Sequence, residues 1–376
     1  MQISRVTVLE YERRLDGRSW NPAFRWRERR AALLTIEATS GVKGVGEAWT
    51  RYAECEPVLQ LLAETAPRLL GRRIDDRSDI ADVVGSLFAA IDTHHAAAVS
   101  SAVEITLSDL VARDQGVPLW KCLGGGAGIV RVYASGGLYR DATSDDDLAE
   151  ELRGYVDRGS NRVKMKIGAL DPDVDFARVH AVREAIGSQT SLWVDAVNQL
   201  AVDGATEQCA ALARLGVEAI QAPLPESDFA GMAQINRDTM PVIAGEAQYA
   251  PDYFRKLLEA EAATYVQFCL GLVGGFDGAA ALDAMAQAYG RRSTPMCFST
   301  AVMQAATLHY AASHSNTACA EFHCFHDHLA ALAPASWSEI ENGSIQLGSE
   351  PGLGLAPITV GPQADGGTIR IFRDLQ

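Results

Sequence analysis

Apolar and polar residues alternate along ISRVTVLEYE (residues 3–12) and again along ALLTIEAT (32–39) and GVKGVGEAW (41–49). A period of two is the mark of half-buried strands, and the second and third read as a hairpin with Gly41 and Gly44 in the turn region. Between the first two runs lies a basic, aromatic loop, RRLDGRSWNPAFRWRERR. From 55 to 116 the period lengthens. VLQLLAETAPRLL, SDIADVVGSLFAAI and AAVSSAVEITLSDLVARDQG read as helices, the last stopped by Gly116 and Pro118. LGGGAG at 123–128 then punctuates the chain.

Past Gly128 the texture changes. Short β-rich runs recur at 131–135, 162–166, 192–196, 218–222, 241–245, 264–269, 294–297 and 318–322. Helical patterns separate them, such as Leu148, Leu152, Tyr155 and Val156, or Val179, Val182 and Ile186. Eight β/α units predict a parallel (β/α)8 barrel rather than an open doubly wound sheet. The tail NGSIQLGSEPGLGL resembles a hairpin returning to the first domain. The expected division is an N-terminal α+β domain over 1–128, a barrel over 129–340 and a C-terminal tail over 341–376.

A barrel places its chemistry at the C-terminal ends of its strands. Run two ends in Lys164-Met165-Lys166, and i and i+2 share a face of a strand. Two neighbouring ammonium groups depress each other's proton affinity, which makes one a usable base. Asp195, Gln221 and Glu246 follow on runs three, four and five, an oxygen donor set suited to a hard cation such as Mg2+. Run six ends in Cys269, an acid, base or nucleophile if its pKa is tuned and otherwise inert core. Run eight carries Glu321, followed by His323, His326 and His328, whose spacing fits a loop-packed cluster better than a metal site. Ser135, Met296 and Ser299, at the ends of runs one and seven, are candidates for substrate contact.

Charge and cysteine usage narrow the partners. The 376 residues carry 33 Lys and Arg against 48 Asp and Glu, a formal net charge of −15. Such a chain is a poor general binder of nucleic acid or anionic membrane. Seven scattered cysteines form neither a disulfide framework nor a paired zinc pattern. No uncharged apolar run approaches the ~20 residues that span a bilayer, and the charged, alternating N-terminus does not read as a signal peptide. The expectation is a cytoplasmic protein.

Taken in order, these motifs resemble the enolase superfamily, in its mandelate racemase and muconate lactonizing branch. GVKGVGEAW is similar to the capping-domain hairpin, and AVEITLSDLVARDQGVPLWKCLGG to the helix leading into the barrel. RVKMKIG looks like the KxK motif, and LWVDA, IQAPLP and VIAGEA look like the metal-ligand strands. YVQFCLGLVGGFDG, TPMCFSTAVMQAATLH, CAEF and PGLG continue the register. The resemblance implies a modified (β/α)7β barrel, capped by an α+β domain built from both chain termini. It implies Mg2+-assisted removal of the proton alpha to a carboxylate. Lys166 would be the base and Lys164 its modulating partner. Asp195, Gln221 and Glu246 would be the metal positions, and Glu321 the donor to the substrate carboxylate. Capping loops at Trp20, Phe24 and Trp26 and at Arg51 and Tyr52 would close over the substrate. The family's oligomers imply a homo-oligomer.

Four positions depart from that pattern. Gln221 replaces a usual Glu, Val197 a usual Asn, Cys269 a usual Asp or Lys, and Met296 a usual His. A His–Asp two-base racemase is thereby disfavoured. Dehydration, racemisation or another isomerisation of a small acid, sugar-like or amino-acid-like, remains. The alternatives are a degenerate barrel that binds a small acid without turnover, and barrel chemistry with Cys269 as nucleophile.

Overall fold

A computed structural model describes residues 1–50, 54–88, 91 and 93–376, so Arg51 and Tyr52 lie outside the described residues. The strand Ile3–Arg14 lies at the heart of an antiparallel five-stranded sheet. On one side it pairs with Glu28–Ala38, from Ile3 opposite Ala38 to Arg14 opposite Glu28. On the other it pairs with Thr368–Leu375, Val6 facing Leu375 and Glu12 facing Thr368. The chain's two ends therefore share one sheet.

Helices Cys55–Thr65, Arg77–Leu87 and His94–Asp114 cover that sheet. The third is buried along nearly its whole length and lies directly on the strand Lys43–Ala48. Gly44 is inside that strand, paired with Ile36, and not in the turn that the sequence suggests. Its role and that of Gly46 is close approach: a Cβ on Gly46 would stand 2.4 Å from Thr106 Oγ1.

The barrel strands are Ile129–Ser135, Arg162–Lys166, Ser191–Asp195, Val217–Gln221, Val242–Ala244, Tyr265–Val266, Arg292–Ser293 and Ala320–His323. All are parallel and neighbours in chain order, and the eighth pairs with the first. Ala318 N donates to Ser293 O at 2.8 Å and Glu321 N to Pro295 O at 3.0 Å, which closes the ring between strands seven and eight. Regular pairing on strand seven precedes the expected 294–297. Beyond it only Met296 bridges to Cys269.

Seven of these strands are followed by an α-helix. The eighth is followed by two short 3-10 turns, Ala330–Leu332 and Ala335–Ser338. The barrel is thus (β/α)7β, and the spacing-based count of eight β/α units is one helix too many. The tail segment Ser344–Gln346 also differs from expectation. It pairs antiparallel with the first barrel strand, Ser344 opposite Arg131, and the return to the first sheet comes later, at Gly361–Pro362 and Thr368–Leu375. Asp109, buried on the long helix, accepts from Leu353 N at 2.6 Å and ties the PGLG segment to the cap. Among the described residues, no helix is long and apolar enough to cross a membrane.

The helix Ala301–Ser313 buries His309, whose Nδ1 accepts Trp120 N–H at 2.9 Å. Burial pushes this imidazole down to about 3. The folded value lies below the unfolded value of about 6.5, so its stabilising effect is complete above that pH and fades as pH falls toward 3. We expect His309→Asn, which can still accept from Trp120, to flatten the acid side of the stability curve by up to about 1.4 kcal/mol per pH unit. Urea unfolding at pH 7, 6 and 5 reads this, and parallel slopes for the two proteins would contradict it.

Candidate active site

The site is assembled by register. Lys166 pairs with Asp195, and Asp195 with Gln221, so three consecutive strands present these side chains side by side. Glu246 follows in the turn just past the fifth strand, after Gly245 at φ +111°. A Cβ there would stand 2.6 Å from Gln267 O, so only glycine delivers the acid at this turn.

Lys164 Nζ, almost fully buried, donates to Asp195 Oδ2 at 2.8 Å, Glu321 Oε1 at 3.0 Å and Gln221 Oε1 at 3.2 Å. Burial opposes its charge, but Asp195 and Glu321 outweigh it and hold the ammonium above the ordinary lysine range. Mutual repulsion between the two lysines is therefore not what governs Lys164, contrary to the reading from spacing. Asp195 sits between them: Lys166 Nζ also donates to Asp195 Oδ2.

The acids differ in state. Burial works against ionisation of Asp195 and Glu321, yet the lysines beside Asp195 and Lys164 beside Glu321 hold both below the usual carboxylate range. Glu246 goes the other way, raised to about 7 by burial and then by the Asp195 charge. Its Oε2 accepts from Gln221 Nε2. Asp195, Gln221 and Glu246 offer two carboxylates and one amide oxygen, a hard donor set of the kind that Mg2+ takes. A buried acid raised by a neighbouring acid is what a dication relieves, so the residues fit such an ion, with one negative charge fewer than three carboxylates supply.

A cavity of about 510 Å3 opens above these strands. Lys164, Lys166, Gln221, Glu246, Met296 and Glu321 line it, and Asp195 lies fully buried just behind. The capping loop docks on the barrel: Ser19–Trp20 pairs with Tyr139–Arg140, Trp20 stacks on Tyr139 at 4.6 Å, and Arg25 pairs with Asp141 at 2.6 Å. Trp20 and Phe24 are consumed by that docking and by packing on Trp26. Asn21 and Ala23, between them, line the cavity instead.

Other expected members fall elsewhere. Cys269 is fully buried in the core and absent from the cavity wall, and burial raises its thiol far above the ordinary range. This overturns it as acid, base or nucleophile. Ser299 is buried between Glu47 and Arg29 and faces a neighbouring cavity of about 360 Å3. Ser135 does not line the cavity; its hydroxyl helps hold Glu321 ionised.

Further cavity residues lie outside the expected site set. Arg29 enters from the cap, with Trp49 beside it. Val197 and Asn198 both adopt positive φ, +50° and +61°, after Asp195. For a β-branched residue that is strained backbone, costing about 1–3 kcal/mol, at a position where the family pattern has Asn. His323 belongs to the packed histidine cluster, its ring 5.0 Å from that of His326, yet it also lines the cavity. His326 N–H donates to its Nδ1 at 3.2 Å, so the neutral ring carries its proton on Nε2.

Comparison with known proteins agrees with this architecture. Residues 23–124 match the mandelate racemase / muconate lactonizing enzyme N-terminal domain, and residues 147–358 match the enolase C-terminal domain-like family. An arabinonate dehydratase of Saccharolobus solfataricus is 29% identical over 256 residues, 68% of each chain. A 3,6-anhydro-alpha-L-galactonate cycloisomerase of Streptomyces coelicolor is 30% identical over 262 residues, 69% of this chain and 70% of that one. Among solved structures, a racemase from Streptomyces coelicolor A3(2) with bound magnesium superposes with a TM-score of 0.83 at 26% identity, over 94% of this chain and 97% of that one. With both domain matches, the closed (β/α)7β ring and a cap built from both termini, this chain belongs to the mandelate racemase and muconate lactonizing branch of the enolase superfamily.

Proposed function

We propose that this protein is a lyase or isomerase that removes the proton alpha to a carboxylate, with Lys166 as the base. The observation that carries the reading is the grouping of Lys164, Lys166, Glu246 and Glu321 on one cavity wall, with Asp195 between the two lysines. Curated relatives are named dehydratases, cycloisomerases and epimerases, and a solved relative holds magnesium, which supports the same class.

The two lysines divide the work. Lys164 has three acceptors around it and stays charged. Among the described residues, Lys166 has a single acceptor, Asp195, leaving its Nζ open to the cavity. In the reaction the α-C–H electrons move into the substrate carboxylate as the proton passes to Lys166 Nζ. The ammonium so formed rests against Asp195. The fixed charge on Lys164 and the hydrogen-bonding groups at the barrel end stabilise the developing negative charge without reorganising. Asp195, Gln221 and Glu246 would hold Mg2+, which when bound supplies further positive charge beside the substrate carboxylate.

His323 Nε2–H is a neutral donor on the cavity wall for a departing or returning oxygen, and a neutral donor fits dehydration of a β-hydroxy acid better than a two-base racemisation. The capping loop is pinned to the barrel beside the site through Tyr139 and Asp141.

The test is a panel of α-hydroxy and α-amino carboxylates in D2O with Mg2+. We expect at least one acid that binds by calorimetry to gain deuterium at its α-carbon by mass spectrometry. Binding throughout the panel with no exchange anywhere would replace this reading with a barrel that binds acids without turnover.

A further inference from the structure

We propose that Glu54, His94 and His95 form a transition-metal site in the capping domain, which takes a divalent ion of the Zn2+ class and clips two cap helices together. None of the three lines the barrel-end cavity, so this site is separate from the oxygen donors Asp195, Gln221 and Glu246.

Among the described residues, these three side chains bring one carboxylate oxygen and two imidazole nitrogens within 4.8 Å of one another. Glu54 Oε2 lies 2.6 Å from His94 Nε2 and 3.9 Å from His95 Nε2. Zn2+ holds nitrogen and oxygen at about 2.0–2.1 Å, so two ligands of one ion stand roughly 3–4 Å apart. The longer distance already has that value, and it is too long for a hydrogen bond. The shorter one is a hydrogen bond, whose two atoms need part by only about 0.5 Å to admit an ion. His95 Nε2 carries a second mark of a ligand: the atom is buried with no hydrogen-bond partner, although the side chain as a whole is 30% exposed. The two rings lie 4.2 Å apart, turned to the same carboxylate. Burial, and then the neighbouring His94, disfavour a proton on His95, which keeps the ring in the neutral form that ligates.

Helix capping does not account for the arrangement. Glu54 occupies the N-cap position of Cys55–Thr65, yet its carboxylate makes no capping hydrogen bond and reaches across to His94 instead. The start of His94–Asp114 is capped by Thr93, whose Oγ1 accepts from Ala96 N at 3.2 Å. An ion held here joins the starts of two helices whose ligands are 40 positions apart in the chain. Two imidazoles with one carboxylate suit Zn2+, Ni2+ or Cu2+, whereas Mg2+ takes oxygen ligands and keeps its waters. The chain thus offers two donor sets of different hardness, and Mg2+ at the barrel end does not compete for this one. Three protein ligands leave the fourth position of the ion to water.

The experiment titrates Zn2+ by calorimetry into tag-free, chelator-stripped protein returned to excess Mg2+, with melting curves on the same samples. We expect one equivalent to bind in the micromolar range or tighter and to raise the melting temperature. His94→Ala/His95→Ala should abolish that equivalent and the rise with it, and Glu54→Gln should weaken binding about tenfold or more. With Cu2+ as the probe, the unaltered protein should show electron paramagnetic resonance couplings to two imidazole nitrogens, a readout that depends on no variant. Couplings to one nitrogen or none overturn the site. So does the absence of a Zn2+ equivalent of this affinity, and so does one that survives the double variant, which assigns the ion to a cysteine or to the barrel end. A double variant that melts lower in chelator, while the unaltered protein gives no response to Zn2+, leaves a plain ion pair between the helices in place of the site.

Discussion

Lys166→Ala stops α-proton exchange while the protein stays folded. A positioned base contributes about 10²–10⁴ in rate, so the loss should be at least a hundredfold with any acid that the unaltered protein exchanges. The fold survives because Asp195 retains Lys164 at 2.8 Å and is not left as an unpaired buried charge. Lys164→Ala makes the contrasting control. It strips the charge from between two buried carboxylates, Asp195 and Glu321, and breaking a buried pair in this way costs about 3–5 kcal/mol. The two lysines, two residues apart on one strand, thus give opposite signatures: lost exchange with an unchanged melting temperature for Lys166, and a lowered melting temperature for Lys164. Deuterium incorporation by mass spectrometry and thermal unfolding by circular dichroism read both. Exchange at the unaltered rate in Lys166→Ala would remove it from the base position.

Periodicity made the barrel legible because each strand–helix unit must bury its own apolar face, and that requirement is local. The number of helices was not legible, because 3-10 turns and a loop after strand eight bury apolar residues such as Leu332 and Trp337 as a helix would. The barrel-end residues were legible for a related reason. Lys166, Asp195 and Gln221 occupy the last positions of their strands, and parallel register makes last positions neighbours. Cys269 broke the rule. It also ends a run, but regular pairing on strand six stops at Val266, and beyond it the chain turns the thiol into the core between cap and barrel. Arg29 broke it the other way. In RWRERR it is one cation among several, and only the cap's docking separates the one turned into the cavity from those facing solvent. Capping loops read poorly for the same reason: whether Trp20 or Asn21 reaches the cavity depends on the Tyr139 stack, a contact between residues 119 positions apart.

Gln221→Glu should tighten Mg2+ binding by about ten- to a hundredfold and make the metal-free protein less stable. Both effects follow from one amide. Gln221 now gives its nitrogen to Glu246 and its oxygen to Lys164 at 3.2 Å, so it satisfies a lysine and an acid at once with no net charge. A carboxylate at 221 keeps the acceptor for Lys164 but withdraws the donor from Glu246 and sets a second negative charge against a carboxyl already raised to about 7. Without an ion, that repulsion lowers the melting temperature. With Mg2+, the same charge becomes attraction, and each tenfold gain in affinity adds about 1.4 kcal/mol to the stabilisation that a given metal concentration provides. Calorimetric titration of metal-stripped protein, paired with melting curves across a Mg2+ series, measures the two arms independently. Unchanged affinity alongside a lowered metal-free melting temperature would mean that residue 221 faces Glu246 and not the ion. The donor set would then reduce to Asp195 and Glu246, and the weight of charge stabilisation would shift onto the fixed ammonium of Lys164.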